Sequence, residues 1–192
     1  MNDIDRSAIL LDLAAQLREH GSWTGETHVQ KAAYFMQELL GVPSGFKFVL
    51  YRHGPFSFDL RASLNKLETW GGIQTEEQPY PYGAKIIEGP RSGMLKTASK
   101  CRGVYVRPIQ FVAGQLGNAN VSELERIATA LFIELDPHVK PEDRLHRLVT
   151  LKPHISREEA PKAFARLREI RSEAIKAGFS VPGSDVAASR VL

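Results

Sequence analysis

The sequence predicts an α+β protein that is mainly α: a winged-helix-like N-terminal module with a small β wing, and a C-terminal helical extension packed on it. Three observations carry that expectation. Two helix-period segments stand in tandem at the start. The stretch from His28 to Leu60 runs from helix through strand and a Gly-Pro turn into a leucine-striped helix, and two short apolar runs then flank a tip rich in Pro, Tyr and Gly. The expected boundaries are 1–104 for the module with its basic wing or loop, 105–177 for the extension and 178–192 for a flexible tail of small, polar, Gly- and Pro-rich character.

Residues 5–20 place Ile9, Leu13 and Leu17 at four-residue spacing with Leu10 and Ala14 alongside, which predicts a helix that Gly21 ends. A second amphipathic helix is expected over 26–40, with Val29, Ala33, Met36 and Leu40 inward and Gly41 and Pro43 as stop signals. Phe46, Phe48 and Leu50 alternate with Lys47, Val49 and Tyr51, the pattern of a half-buried strand, and His53-Gly54-Pro55 is expected to break it. Ser57 is placed to cap a third helix, with Asp59 in its first turn, a Leu60, Leu64, Leu67 stripe and an end near Gly71-Gly72. This is the recognition-helix position of a DNA-binding winged helix.

Ile73-Gln74-Thr75 and Ala84-Lys85-Ile86-Ile87 read as a two-stranded wing with a long tip. Gly89, Pro90, Gly93 and Gly103 mark residues 89–103 as a loop, leading into helices near 105–116 and 122–135. Ser122 and Glu125 have capping-box spacing ahead of Ile127, Ala128, Leu131 and Phe132. Pro141 can open a short helix carrying Leu145, Leu148 and Val149, which Pro153 ends. Ser156 and Glu159 cap a last helix with Phe164, Leu167, Ile170 and Ile175 inward, kinked or started late by Pro161.

The chain has 192 residues, 43% of them hydrophobic, enough for a core of its own. Its apolar runs fall far short of the roughly 20 residues that cross a bilayer, and Asn2, Asp3, Asp5 and Arg6 open it without the basic-then-apolar pattern of an export signal. A cytoplasmic protein without a membrane partner is the expectation. The single cysteine, Cys101, excludes an internal disulfide framework and a multi-thiolate metal site. A net charge of +3 permits an acidic partner without requiring one.

The Gln30-Lys31 helix with aromatic Tyr34-Phe35, the turn Tyr51-x-His53-Gly54-Pro55-Phe56-Ser57, the leucine helix running to Gly72-Ile73 and the downstream Leu151-Lys152-Pro153-His154-Ile155-Ser156 segment resemble the YwgA-like family of small prokaryotic proteins. The resemblance spans most of residues 5–175. More distantly, the first part is similar to the Panacea domain of antitoxins, in which a helical Lys-Leu-Tyr-Tyr-type segment precedes a Tyr-Gly-Pro turn. Ala32-Ala33 and Arg52-His53 depart from the usual pattern. The resemblance implies a winged-helix-like domain with a role in regulation or defence. It supplies no catalytic residues, so Gln30, Lys31, Tyr34, Tyr51, His53, Gly54, Pro55 and Ser57 are expected to be structural.

Other chemistry is weighed against that background. His53, with Tyr51 and Ser57 nearby, offers a base and nucleophile on a turn, but turn geometry and helix capping account for the same residues. His138, His146 and His154 stand eight residues apart and lack the close pairs of zinc sites, so no metal or other cofactor is expected. Lys100 and Arg102 beside Cys101 would lower a thiol pKa. The strongest binding candidate is electrostatic: Lys85, Arg91, Lys96, Lys100, Arg102 and Arg107 face only Glu88 in the sequence, a surplus that attracts phosphate or an acidic protein surface. Residues 57–70, by contrast, balance Arg61 and Lys66 with Asp59 and Glu68 and offer few groups for bidentate base contacts.

The leading expectation is a noncatalytic regulatory or interaction protein, antitoxin-like or defence-associated, that holds a protein partner such as a toxin or defence effector. The alternative is a winged-helix transcriptional regulator that binds nucleic acid through its basic wing. An enzyme working through the Tyr51/His53 turn is the third reading.

Overall fold

A computed structural model describes residues 1–79, 83–101 and 103–182. Helix α1 (Asp3–Glu19) starts at Asn2, whose side chain accepts a hydrogen bond from the Asp5 amide. Helix α2 (Glu26–Glu38) follows, and every residue from His28 to Met36 in it is buried. The expected amphipathic helix is thus a central one, enclosed by α1 and by two later helices; Leu39, not Leu40, carries its last buried position. Ala32 and Ala33 suit that place, because small side chains let neighbouring helices approach from more than one side.

Strand β1 (Val49–Tyr51) pairs antiparallel with β2 (Gly54–Phe56), with Tyr51 opposite Gly54, Leu50 opposite Pro55 and Val49 opposite Phe56. This corrects the expected Gly-Pro turn: Arg52 and His53 form the two-residue loop, and Gly54-Pro55 begins the return strand. Gly54 takes φ +80, which fits the tight return. In an antiparallel ladder alternate pairs exchange no hydrogen bonds, so a proline next to the closing pair removes none. Residues 46–48 keep the predicted alternation of burial without laddering, and the Gln37 side chain binds both the amide and the carbonyl of Phe46.

Helix α3 (Phe58–Thr69) is capped as expected by Ser57, whose Oγ accepts from the Leu60 amide, and buries Leu60, Leu64 and Leu67. Strands β3 (Ile73–Glu76) and β4 (Lys85–Glu88) form the second hairpin; part of its expected tip, residues 80–82, lies outside the described residues. The loop expected over 89–103 contains helix α4 (Ser92–Ala98), which packs on α1 and buries Leu95, an apolar anchor too short to show periodicity.

Among the described residues, helices α5 (Val106–Leu116), α6 (Val121–Glu134), α7 (Arg144–Leu151) and α8 (Glu159–Lys176) complete the order, with a 3-10 turn at Pro141–Asp143. Asn120 rather than Ser122 caps α6, its Oδ1 accepting from the Glu123 amide, which frees Glu125 to turn inward. The Ser156–Glu159 box does form, with reciprocal bonds of 3.0 and 3.2 Å. Pro161 falls in the first turn of α8, where no intrahelical donor is needed. Ile175 is 50% exposed, against expectation. Residues 178–182 are not loose either: Phe179 packs its ring at a tilt against Phe111, Val181 is buried and the Pro182 carbonyl accepts from Arg171. The rest of the expected tail, 183–192, lies outside the described residues.

One apolar cluster runs from Ile9 to Val181. Helix α5 packs on α1 and α2, and α6 packs on α2, β2 and α8, so the extension shares its core with the N-terminal part. No helix among the described residues is long and apolar enough to cross a membrane.

Candidate functional site

Three of the four sequence segments on which the resemblance is drawn meet at the β1–β2 hairpin. From α2, the Gln30 side-chain amide grips Ser57 twice: Oε1 accepts from the Ser57 amide at 2.9 Å and Nε2 donates to its carbonyl at 3.0 Å. The next residue, Lys31, donates from Nζ to the Pro55 carbonyl at 2.8 Å. From the loop after α7, Lys152 Nζ donates to the Tyr51 carbonyl at 2.8 Å and also to that of Arg52. Two ammonium groups and one amide therefore hold a hairpin of three-residue strands, which would be marginal on its own.

Both lysines are withdrawn from water, Lys31 at 1% exposure and Lys152 at 4%. Glu125 of α6, 5% exposed, supplies the opposing charge: Oε1 lies 2.8 Å from Lys152 Nζ, a close ion contact off hydrogen-bonding angle. His154 Nε2 and His53 Nδ1 approach the same carboxylate at 3.4 Å each from the solvent side. Burial alone would raise the Glu125 pKa, but Lys152 and the two histidines outweigh it and hold the carboxyl below its usual range. Burial is also the largest influence on Lys31, drawing its pKa down to about 8; Glu125 opposes the shift and Lys152 adds to it.

Packing allows this cluster no slack. A Cβ on Gly54 would stand 3.0 Å from Thr129 Oγ1 and 3.3 Å from the Glu125 carbonyl. Ser57, the imagined nucleophile, is fully buried, with its hydroxyl on the Leu60 amide and both backbone groups on Gln30. It is committed to capping and cannot face a substrate beside His53. Tyr34 is buried too, and burial pushes its phenol pKa well up.

Outside the clamp lies a surface that the sequence reading missed. Tyr51 and Phe58 are 46% and 55% exposed, Val49 stands beside them, and the Tyr51, Phe56 and Phe58 ring centroids are 5.1–5.8 Å apart. The Arg61 guanidinium lies 4.6 Å from the Phe56 ring centroid and forks onto Glu26 at 2.7 and 3.0 Å. The signal was present: from Phe48 to Tyr51 the strand is apolar on both faces, although only one can meet the core.

The basic candidates do not converge. Lys96 pairs with Asp12 and Glu88, Arg107 donates to the Ala177 carbonyl and lies over Phe179, and the Arg91 side chain covers Gly71. Lys85 opens β4 opposite Glu76, Lys100 is exposed with its amide on Asp5, and Arg102 lies outside the described residues. On α3, Arg61 and Lys66 are paired with Glu26 and Asp3. Burial and the Asp5 carboxylate push the Cys101 thiol up, opposite to the lowering expected from its basic neighbours. His146 contacts Thr150 on its own helix while His154 faces Glu125, and among the described residues no three metal-ligating side chains are placed to hold an ion.

No protein-family model matches this chain, and no curated protein matches it at a significant level.

Proposed function

We propose that this is a noncatalytic interaction protein that holds a protein partner on the aromatic face of its β1–β2 hairpin. The observation that carries the reading is the pair Tyr51 and Phe58, two large exposed rings, the first on backbone that buried Lys152 fixes and the second beside Ser57, which Gln30 grips. Rigid aromatic side chains with a neighbouring arginine are the residue types that dominate binding energy at protein interfaces, because they bury much area at little entropic cost. The motif residues then serve as the frame that presents this face, in keeping with a YwgA-like protein of antitoxin or defence type whose partner is a toxin or effector. The helix order, with α3 followed by the β3–β4 hairpin, is compatible with a winged-helix-like module. Binding of nucleic acid draws less support, since Lys96, Arg107, Arg61 and Lys66 already have partners within the chain.

Photo-crosslinking in the native host tests this directly. A photoreactive phenylalanine analogue at position 58 should give a discrete adduct that disappears when Tyr51 is also replaced by Ser. The same analogue at Lys162, exposed on α8, should give none. Absence of any adduct at position 58, or an identical adduct from both positions, overturns the reading.

A further inference from the structure

A second site stands apart from the hairpin, where α7 and α8 face the end of α6. Glu134, near the C-terminus of α6, meets two guanidinium groups: Arg144 Nη1 lies 2.8 Å from Oε1 and Arg171 Nε 3.2 Å from Oε2. The second contact is an ion contact short of hydrogen-bonding angle. Arg168, one turn before Arg171 on α8, has no ion-pair partner among the described residues. Two guanidinium groups therefore share one carboxylate while a third, Arg168, stands without one, and Glu142 and Asp143 on the preceding turn form no ion pair with any of the three. The Arg144 Nε is buried and has no acceptor among the described residues. A buried donor without a partner is costly, so its surroundings favour an acceptor.

Glu134, Arg144 and Arg168 border a cavity of about 360 Å³ whose other walls are Pro141, Leu145, Pro161 and Phe164. That volume lies in the lower part of the range for small-ligand sites, which pair an apolar wall with a few directed polar groups. Leu145 remains 44% exposed beside it, an aliphatic side chain that the fold leaves uncovered. An inorganic ion would use the arginines and leave the apolar wall wet, whereas a neutral apolar molecule would leave the guanidinium groups unanswered. We propose that this cavity binds a small organic anion, a carboxylate or phosphate group carried on an apolar body, with Arg144 and Arg168 on the charged end and Phe164 and Leu145 on the body. Guanidinium suits that task, since its planar fork matches carboxylate and phosphate oxygens.

Calorimetric titration of the full chain tests it with four probes: phenyl phosphate, benzoate, inorganic phosphate and benzyl alcohol. At least one of the first two should saturate below about 10 mM. Loss of one charge-assisted bond in Arg168→Ala should weaken that binding about tenfold, while Lys162→Ala, an exposed change on the same helix, leaves it unaltered. Arg168 is exposed, so its truncation leaves the fold intact, and equal thermal midpoints for the two variants would verify that. The proposal is overturned if neither aromatic anion saturates, if Arg168→Ala binds as the parent does, or if inorganic phosphate or benzyl alcohol binds as tightly as the aromatic anions.

Discussion

The described residues contain two hairpins with strands of similar length that are secured in opposite ways. In β1–β2 the return strand Gly54–Phe56 is wholly buried, and the polar groups that hold it are charged and dry: Lys31, Lys152 and, behind them, Glu125. In β3–β4 only Ile73 and Ile86 are buried, and the hairpin is tied from outside by the Thr24 carbonyl on the Ile86 amide, by Trp23 Nε1 on the Gly83 carbonyl and by Arg18 and Lys96 around Glu88. Ion pairs in water contribute little, while a charge without its partner in the interior costs several kcal/mol. The first hairpin is consequently an all-or-none junction, and the second is an edge that tolerates loss of any one tie.

The largest test of that contrast removes one charge from each. Glu125→Ala leaves Lys152 and Lys31 buried without a counter-charge and should cost about 3–5 kcal/mol by urea denaturation. Lys96→Ala, which takes a cation from Asp12 and Glu88 at the surface, should cost no more than about 1 kcal/mol. Similar losses for the two would remove the distinction.

Glycine replacement probes the backbone in the same way. Gly54→Ala forces a side chain onto φ +80 and against Thr129 Oγ1, and should destabilise by about 1–3 kcal/mol. A Cβ on Gly83, at the edge of the other hairpin, meets nothing within 4 Å. Gly83→Ala should stay within about 0.5 kcal/mol of the parent in the same denaturation assay.

The pH dependence of stability isolates Lys31. Its folded pKa of about 8 lies below the ordinary 10.5, so between those values the unfolded chain binds more protons and stability rises with pH. The rise attributable to this group should be about 1.5 kcal/mol from pH 8 to 9.5. Above pH 10 it is opposed, because the raised Tyr34 phenol keeps its proton only in the folded state. Lys31→Met should flatten the profile in that window; a variant with the parent's slope would show that the buried ammonium is not the source. Glu125 acts at the other end: its lowered folded pKa adds stability above the ordinary 4.5 that is lost as pH falls through the folded value.

Most helices were legible because their apolar spacing is set by the chain itself, as in the Leu60, Leu64, Leu67 stripe that the fold buries. The junction was not, because its logic is long-range. Lys152 and Tyr51 are far apart in sequence, and neither periodicity nor capping rules connect a lysine to a carbonyl across that distance. Glu125 was hidden by a local pattern: its spacing from Ser122 imitates a capping box, but Asn120 takes the cap and the carboxylate answers the buried lysines. The basic stretch illustrates the converse. Lys96 and Arg107 belong to one basic stretch of sequence but are drawn to acceptors on different elements, Glu88 for one and the Ala177 carbonyl for the other.

The smallest effect on stability should accompany the largest effect on binding. Phe58 follows the Ser57 cap and holds its ring over Tyr51 and Phe56 while remaining 55% exposed. Truncation there removes a partial aromatic contact and opens no interior cavity, so Phe58→Ser and Tyr51→Ser should each cost no more than about 1 kcal/mol. On the clamped hairpin the backbone beneath these rings is fixed by Lys31, Lys152 and Gln30 rather than by the rings themselves. The double variant should therefore keep its cooperative thermal transition while losing the partner that crosslinks at position 58. Collapse of that transition would mean that the exposed rings hold the hairpin together, and the division between a buried frame and a presented face would fail.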